Sequence, residues 1–134
     1  MRNQSLKVGV AGLGTVGVAL VSQIARQRDA LSARCGRAIE VVAVCARSRA
    51  KDRGIDLRKT KWFADPQSLA REPGIDVFVE LIGGAGDPAR GAVEAALACG
   101  KSVVTANKAL LARHGVKLAA IGRASCRERV FGYV

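Results

Sequence analysis

At 134 residues the chain has room for one domain with a buried core. Its hydrophobic fraction of 49% contains no apolar run near the roughly 18 residues of a membrane span, and residues 1–7 lack the apolar core of a secretory signal, so a cytoplasmic protein is expected. The formal charge of +11 raises nucleic acid as a partner, but an aromatic fraction of 4% is too sparse for base-stacking platforms, so neither a nucleic-acid nor a membrane partner is expected. In chain order, residues 7–11 form a short apolar run ended by glycines, which suits a buried parallel strand. Val16, Leu20 and Ile24 then recur at helical spacing and predict a helix over 15–31 with that stripe on the sheet. After a polar turn at 34–37, residues 39–45 read as a second strand, given β-branched bulk by Val41, Val42 and Val44.

Between Arg47 and Lys61 seven basic residues stand against two acidic ones, and this stretch ends near Trp62 and Phe63 in a short third strand. Asp65 and Pro66 read as the cap and first position of a short helix that stops before Pro73. Residues 75–82 form the fourth strand, closed by Gly83 and Gly84, and 89–98 a small-residue helix with Gly100 past its end. A fifth strand over 102–105 leads into a helix from Lys108. Valine-rich strands alternating with helices imply a single α/β domain, a Rossmann-type doubly wound parallel sheet. Cys35, Cys45, Cys99 and Cys126 are widely spaced with no Cys-x-x-Cys pair and read as reduced thiols. His114 is the only histidine, so no metal site is expected.

Gly-x-Gly-x-x-Gly is a weak signal by itself, but here a strand precedes it and an amphipathic helix opens within it. Gly12 permits the tight turn, Gly14 admits a pyrophosphate close to the backbone, and Gly17 lets helix and strand pack closely. A helix N-terminus offers free N–H groups and a positive dipole end to phosphates. Sites for NAD carry an acid at the end of the second strand to bond the ribose hydroxyls. This strand ends instead in Arg47, Ser48 and Arg49, while Glu40 sits at its far end. A guanidinium fork there suits the 2′-phosphate of NADP. NADP(H) is the expected cofactor, with NAD(H) as the alternative.

Residues 79–84 and 103–112, taken with the glycine loop, resemble the N-terminal NAD(P)-binding domain of homoserine dehydrogenase, from about Lys7 to about Gly122. That family interconverts L-homoserine and L-aspartate 4-semialdehyde with NAD(P)(H), on the route to threonine and methionine. The resemblance implies that Gly12, Gly14, Thr15, Val16 and Gly17 line the cofactor phosphates and that Arg47, with Ser48 and Arg49 beside it, meets the adenosine ribose phosphate. Ile82, Gly83 and Gly84 would border the nicotinamide side, and Thr105, Asn107 and Lys108 would sit at the end of the fifth strand. Lys108 is the candidate catalytic residue, facing the oxygen that gains charge as a carbonyl accepts hydride; Glu80 reads as a buried support for the loop.

The expected domain is 1–122, with 123–134 a tail that does not follow the family pattern. The family's substrate and dimerisation domain is not among these residues. The resemblance therefore implies a cofactor domain inactive by itself, which meets its small-molecule substrate and forms homo-oligomers only with that second domain. Three other readings compete: a stand-alone NADP-sensing module, the cofactor domain of another amino- or hydroxy-acid dehydrogenase, and a nucleic-acid binder.

Overall fold

The computed structural model describes residues 4–125 and 130–132. Among these residues six parallel strands form one sheet: β1 Leu6–Ala11, β2 Ile39–Cys45, β3 Lys61–Phe63, β4 Val77–Glu80, β5 Ser102–Thr105 and β6 Val130–Gly132. Their spatial order is β3-β2-β1-β4-β5-β6. The chain builds outward from β1 to β3, then returns to lay β4 on the other side of β1. The carboxyl ends of β1 and β4 therefore flank the point where the winding reverses, the crevice in which open parallel sheets place ligands.

Among the described residues five helices cover the sheet: α1 Thr15–Arg26, α2 Arg28–Cys35, α3 Pro66–Ala70, α4 Ala89–Ala98 and α5 Lys108–Ala124. Alternation along the strands sorts the core into two layers. Val8 and Val10 of β1 face the α1 side with Val21, Val44 and Val79, while Ala11, Ala43, Cys45, Phe78 and Val103 face α3, α4 and α5 with Leu69, Val93, Leu110 and Leu118. A bulge in β2 opposite Val8 and Gly9 resets that alternation. Asp65 caps α3 as the sequence suggests, accepting from Ser68 N–H at 3.1 Å, with Pro66 in the first turn.

Four elements differ from expectation. The helix expected over 15–31 breaks at Gln27, because the apolar face ends with Ile24 and α2 has no buried residue to hold the same axis. Within α1 the buried residues are Gly17 and Val21, so the helix is rotated and Val16 is 60% exposed rather than packed on the sheet. The fourth strand ends at Glu80 instead of residue 82, because the Glu80 carboxylate takes up the next amides itself. Finally, the expected boundary at Gly122 falls inside α5, and β6 pairs with β5 from within the stretch that the sequence leaves as an unmatched tail. Cys126 lies outside the described residues. No helix among the described residues is long and apolar enough to cross a membrane.

Candidate dinucleotide site

The glycine loop is built by contact between the ends of β1, α1 and β4. Gly12 has φ +110°, and a Cβ there would lie 2.7 Å from the Leu81 carbonyl oxygen; at Gly17 a Cβ would collide with the carbonyl oxygen of Gly12. These two glycines are demanded by the protein itself. Gly14 differs: its φ of −77° suits any residue, and a Cβ there meets nothing within 4 Å. Its missing side chain keeps open a space outside the chain. The first bond of α1 runs from Val18 N–H to the Gly14 carbonyl at 2.9 Å, which leaves the amides of Thr15, Val16 and Gly17 without acceptors inside the helix. Gly14 supplies no side-chain cap and the first turn holds no acid, so the positive end of this helix is uncompensated.

Two hollows flank the loop. A groove of about 370 Å³ is lined by Gly12, Gly14, Arg47 and Arg53, with Ala64 and Pro66 as an apolar flank, and none of the described residues lining it is acidic. On the other side Val16, Glu80, Ile82, Gly83 and Asn107 enclose a smaller hollow of about 120 Å³. The half-exposed Val16 presents an apolar face there, suited to a flat ring. The uncapped helix end, the space at Gly14 and the paired hollows fit a dinucleotide.

A hydrogen-bond network holds the second hollow. The fully buried Glu80 accepts from the amides of Ile82 at 2.8 Å and Gly83 at 2.9 Å, and from the Thr105 hydroxyl at 2.5 Å. Thr105 in turn accepts from Asn107 N–H at 3.0 Å. Asn107 caps α5 by accepting from Leu110 N–H at 3.0 Å, and its amide nitrogen donates to the Gly84 carbonyl at 2.7 Å. Gly83 and Gly84 both have positive φ, so only this lacing fixes an otherwise permissive loop.

Of the sequence candidates, Gly12, Gly14, Arg47 and Ile82 thus share one groove, and Val16, Ile82, Gly83 and Asn107 the other. Thr15 is exposed on the first turn of α1, and Gly17 is buried against Gly12. Thr105 is wholly buried and lines neither hollow. Lys108 is exposed at the start of α5, next to Asn107. Ser48 is exposed, and Arg49 lines a separate cavity under the β2–β3 connection. Arg53 carries no distinguishing signal within the basic stretch, because no periodicity in that irregular connection indicates which arginine turns back to the groove.

Cys45 also lines the larger groove, only 5% exposed. Burial, with the Asp65 charge adding to it, pushes its thiol up to about 11 from 9.0. At pH 8 its thiolate fraction is therefore about a hundredfold below that of an ordinary thiol. Mass-spectrometric mapping after brief iodoacetamide treatment should find the exposed Cys35 and Cys99 alkylated and Cys45 spared. The folded state keeps this proton to about 11 while the unfolded chain releases it near 9.0, so the contribution to stability is intact below pH 9 and lost as pH rises through 11. Equal labelling of Cys45 and Cys35 in the folded chain at pH 8 would contradict this burial.

A glycine loop at the β1/β4 crevice, an uncapped helix behind it and six parallel strands in this order define a dinucleotide-binding Rossmann domain. A family model described as homoserine dehydrogenase, NAD binding domain, matches residues 12–131, and the chain belongs to that family. The homoserine dehydrogenase of Pseudomonas aeruginosa is 43% identical over 118 residues, which make up 88% of this chain but only 26% of that protein. The structure of Staphylococcus aureus homoserine dehydrogenase at pH 7.0 superposes with a TM-score of 0.86 at 26% identity, over 98% of this chain and 33% of that one. A hyperthermophilic archaeal homoserine dehydrogenase, solved in complex with NADPH, shares the fold with a TM-score of 0.76 at 23% identity, over 96% of this chain and 44% of that one.

Proposed function

We propose that this chain binds NADP(H) and serves as the cofactor domain of a cytoplasmic homoserine dehydrogenase. The observation that carries the reading is the larger groove, where Arg47 stands at the end of β2 beside Gly12 and Gly14 with no carboxylate among the described residues that line it. An acid there would bond ribose hydroxyls and repel a 2′-phosphate; an arginine fork does the reverse. Gly14 and the free amides of Thr15, Val16 and Gly17 hold the pyrophosphate, and Val16, Ile82, Gly83 and Gly84 border the nicotinamide. When bound, the cofactor exchanges hydride between L-homoserine and L-aspartate 4-semialdehyde. In this reading Lys108 orients the reacting oxygen, while Thr105 and Asn107 act as positioning residues through Glu80 and Gly84. Residues of the substrate and dimerisation domain complete the substrate site, so the 134 residues alone bind cofactor without turning over homoserine.

Fluorescence titration of the chain with NADPH and NADH tests the cofactor assignment. Wild type should prefer NADPH by about tenfold, and Arg47→Ala should weaken NADPH severalfold with NADH unchanged. Equal affinity of wild type for the two cofactors would overturn the assignment to NADP(H).

A further inference from the structure

Arg53 stands apart from the rest of the basic stretch. Arg47, Arg49, Lys51, Arg58 and Lys59 are exposed, whereas Arg53 is half-buried. Its guanidinium carbon lies 5.5 Å from the ring centroid of Trp62, the chain's one tryptophan. One terminal nitrogen donates to the Lys51 carbonyl at 3.1 Å, while Nε is shut off from solvent and has no hydrogen-bond partner. A buried guanidinium N–H without an acceptor is unfavourable, so this side chain is held in its position at a cost.

The neighbouring acids are engaged elsewhere. Asp56 accepts from Arg58 Nε at 3.0 Å and Nη2 at 2.9 Å, and those bonds hold its carboxyl well below the usual carboxylate range. Asp52 accepts from Gly54 N–H at 2.9 Å in a local turn. Arg53 lines the groove that also holds Arg47 and Gly14, and with Trp62 it lines the cavity under the β2–β3 connection as well. On the NADP(H) reading Arg47, at the end of β2, marks the ribose end of this groove, and Ala64 and Pro66 give it an apolar flank for a purine. The indole of Trp62 holds the guanidinium over its face without using a donor, and the Lys51 carbonyl takes one of them.

We infer that Arg53 is the residue that reads the ribose 2′-phosphate and that Trp62 is its positioning residue. The inference rests on the NADP(H) reading and goes beyond Arg47: the exposed arginine adds charge, whereas the stacked one supplies fixed geometry.

Calorimetric titration of the chain with adenosine 2′,5′-bisphosphate and adenosine 5′-monophosphate tests it, with circular dichroism melts as the folding control. Arg53→Ala should weaken the bisphosphate by about tenfold or more and the monophosphate by less than about twofold. Arg53→Lys should recover only part, since an ammonium lacks the fork. Trp62→Leu should lower bisphosphate affinity in the same direction, and Trp62→Phe should largely keep it. If wild type prefers the bisphosphate but Arg53→Ala weakens both ligands equally or neither, the role of Arg53 is overturned while the NADP(H) reading stands. A wild type that binds both ligands alike overturns the two together. Should Arg53→Ala fail to fold, Arg53→Lys decides, and an unchanged ratio of the two affinities refutes the inference.

Discussion

Glu80→Ala should destabilise the domain by about 2–3 kcal/mol, because three donors lose their acceptor at once. The buried Thr105 hydroxyl loses it at the full cost of about 1–3 kcal/mol for an orphaned buried group, and the part-buried amides of Ile82 and Gly83 lose it at less. Water entering the vacated space would soften the loss, but Glu80 is wholly buried at the end of a central strand. For a domain whose stability is about 5–15 kcal/mol, such a change is a large fraction of the total. Glu80→Gln should cost less. Its carbonyl can still accept from the two amides, while its NH2 faces a Thr105 oxygen that already accepts from Asn107 N–H, leaving the hydroxyl proton to find another partner. Urea unfolding of the three proteins checks the order wild type, Gln, Ala. An alanine variant within about 1 kcal/mol of wild type would show that the network does not hold the loop.

That network also marks how far the sequence could be read. Glu80 is recognisable there as a buried acid beside glycines, and the structure gives it the supporting role that reading allows. Asn107 and Thr105 are visible only as neighbours where a strand runs into a helix; that Asn107 caps α5 and ties it to Gly84 while Thr105 bonds Glu80 depends on β4 and β5 lying side by side. The order of elements along the chain is legible because β-branched runs, helical spacing and glycine punctuation agree locally from β1 to β5. What escaped was decided by tertiary contact. The apolar spacing of Val16, Leu20 and Ile24 describes one face of α1, yet the absence of a side chain at Gly17 lets a different face approach the sheet and turns Val16 into the hollow. In the β2–β3 connection, turns closed by Asp52 and Asp56 replace a helix, so no period separates Arg53, which reaches the groove, from Arg49, which lines another cavity. For β6, three residues within an arginine-rich stretch carry too little pattern to stand out, and the edge of β5 recruits them.

Gly17→Ala and Gly14→Ala should separate the two kinds of glycine in one loop. At Gly17 alanine gains about 1 kcal/mol of helix propensity, but its Cβ must force apart the Gly12 carbonyl and the first turn of α1. Overpacking costs about 1–3 kcal/mol, and more where backbone rather than a flexible side chain must move. The clash wins, and a net loss of about 3 kcal/mol should lower the melting temperature of a domain this size by roughly 10 °C. At Gly14 no clash opposes the change. Stiffening of the unfolded chain stabilises by about 0.4–1 kcal/mol, and the poorer capping tendency of alanine offsets a similar amount. Gly14→Ala should therefore melt within a few degrees of wild type. Its Cβ nevertheless enters the space beside the free amides of α1, so NADPH affinity should fall by about tenfold or more. Melting curves and NADPH titration of both variants give the comparison. A stable Gly17→Ala would contradict the packing of α1 on Gly12, and a Gly14→Ala variant that binds NADPH as wild type does would place the phosphates elsewhere than at this helix.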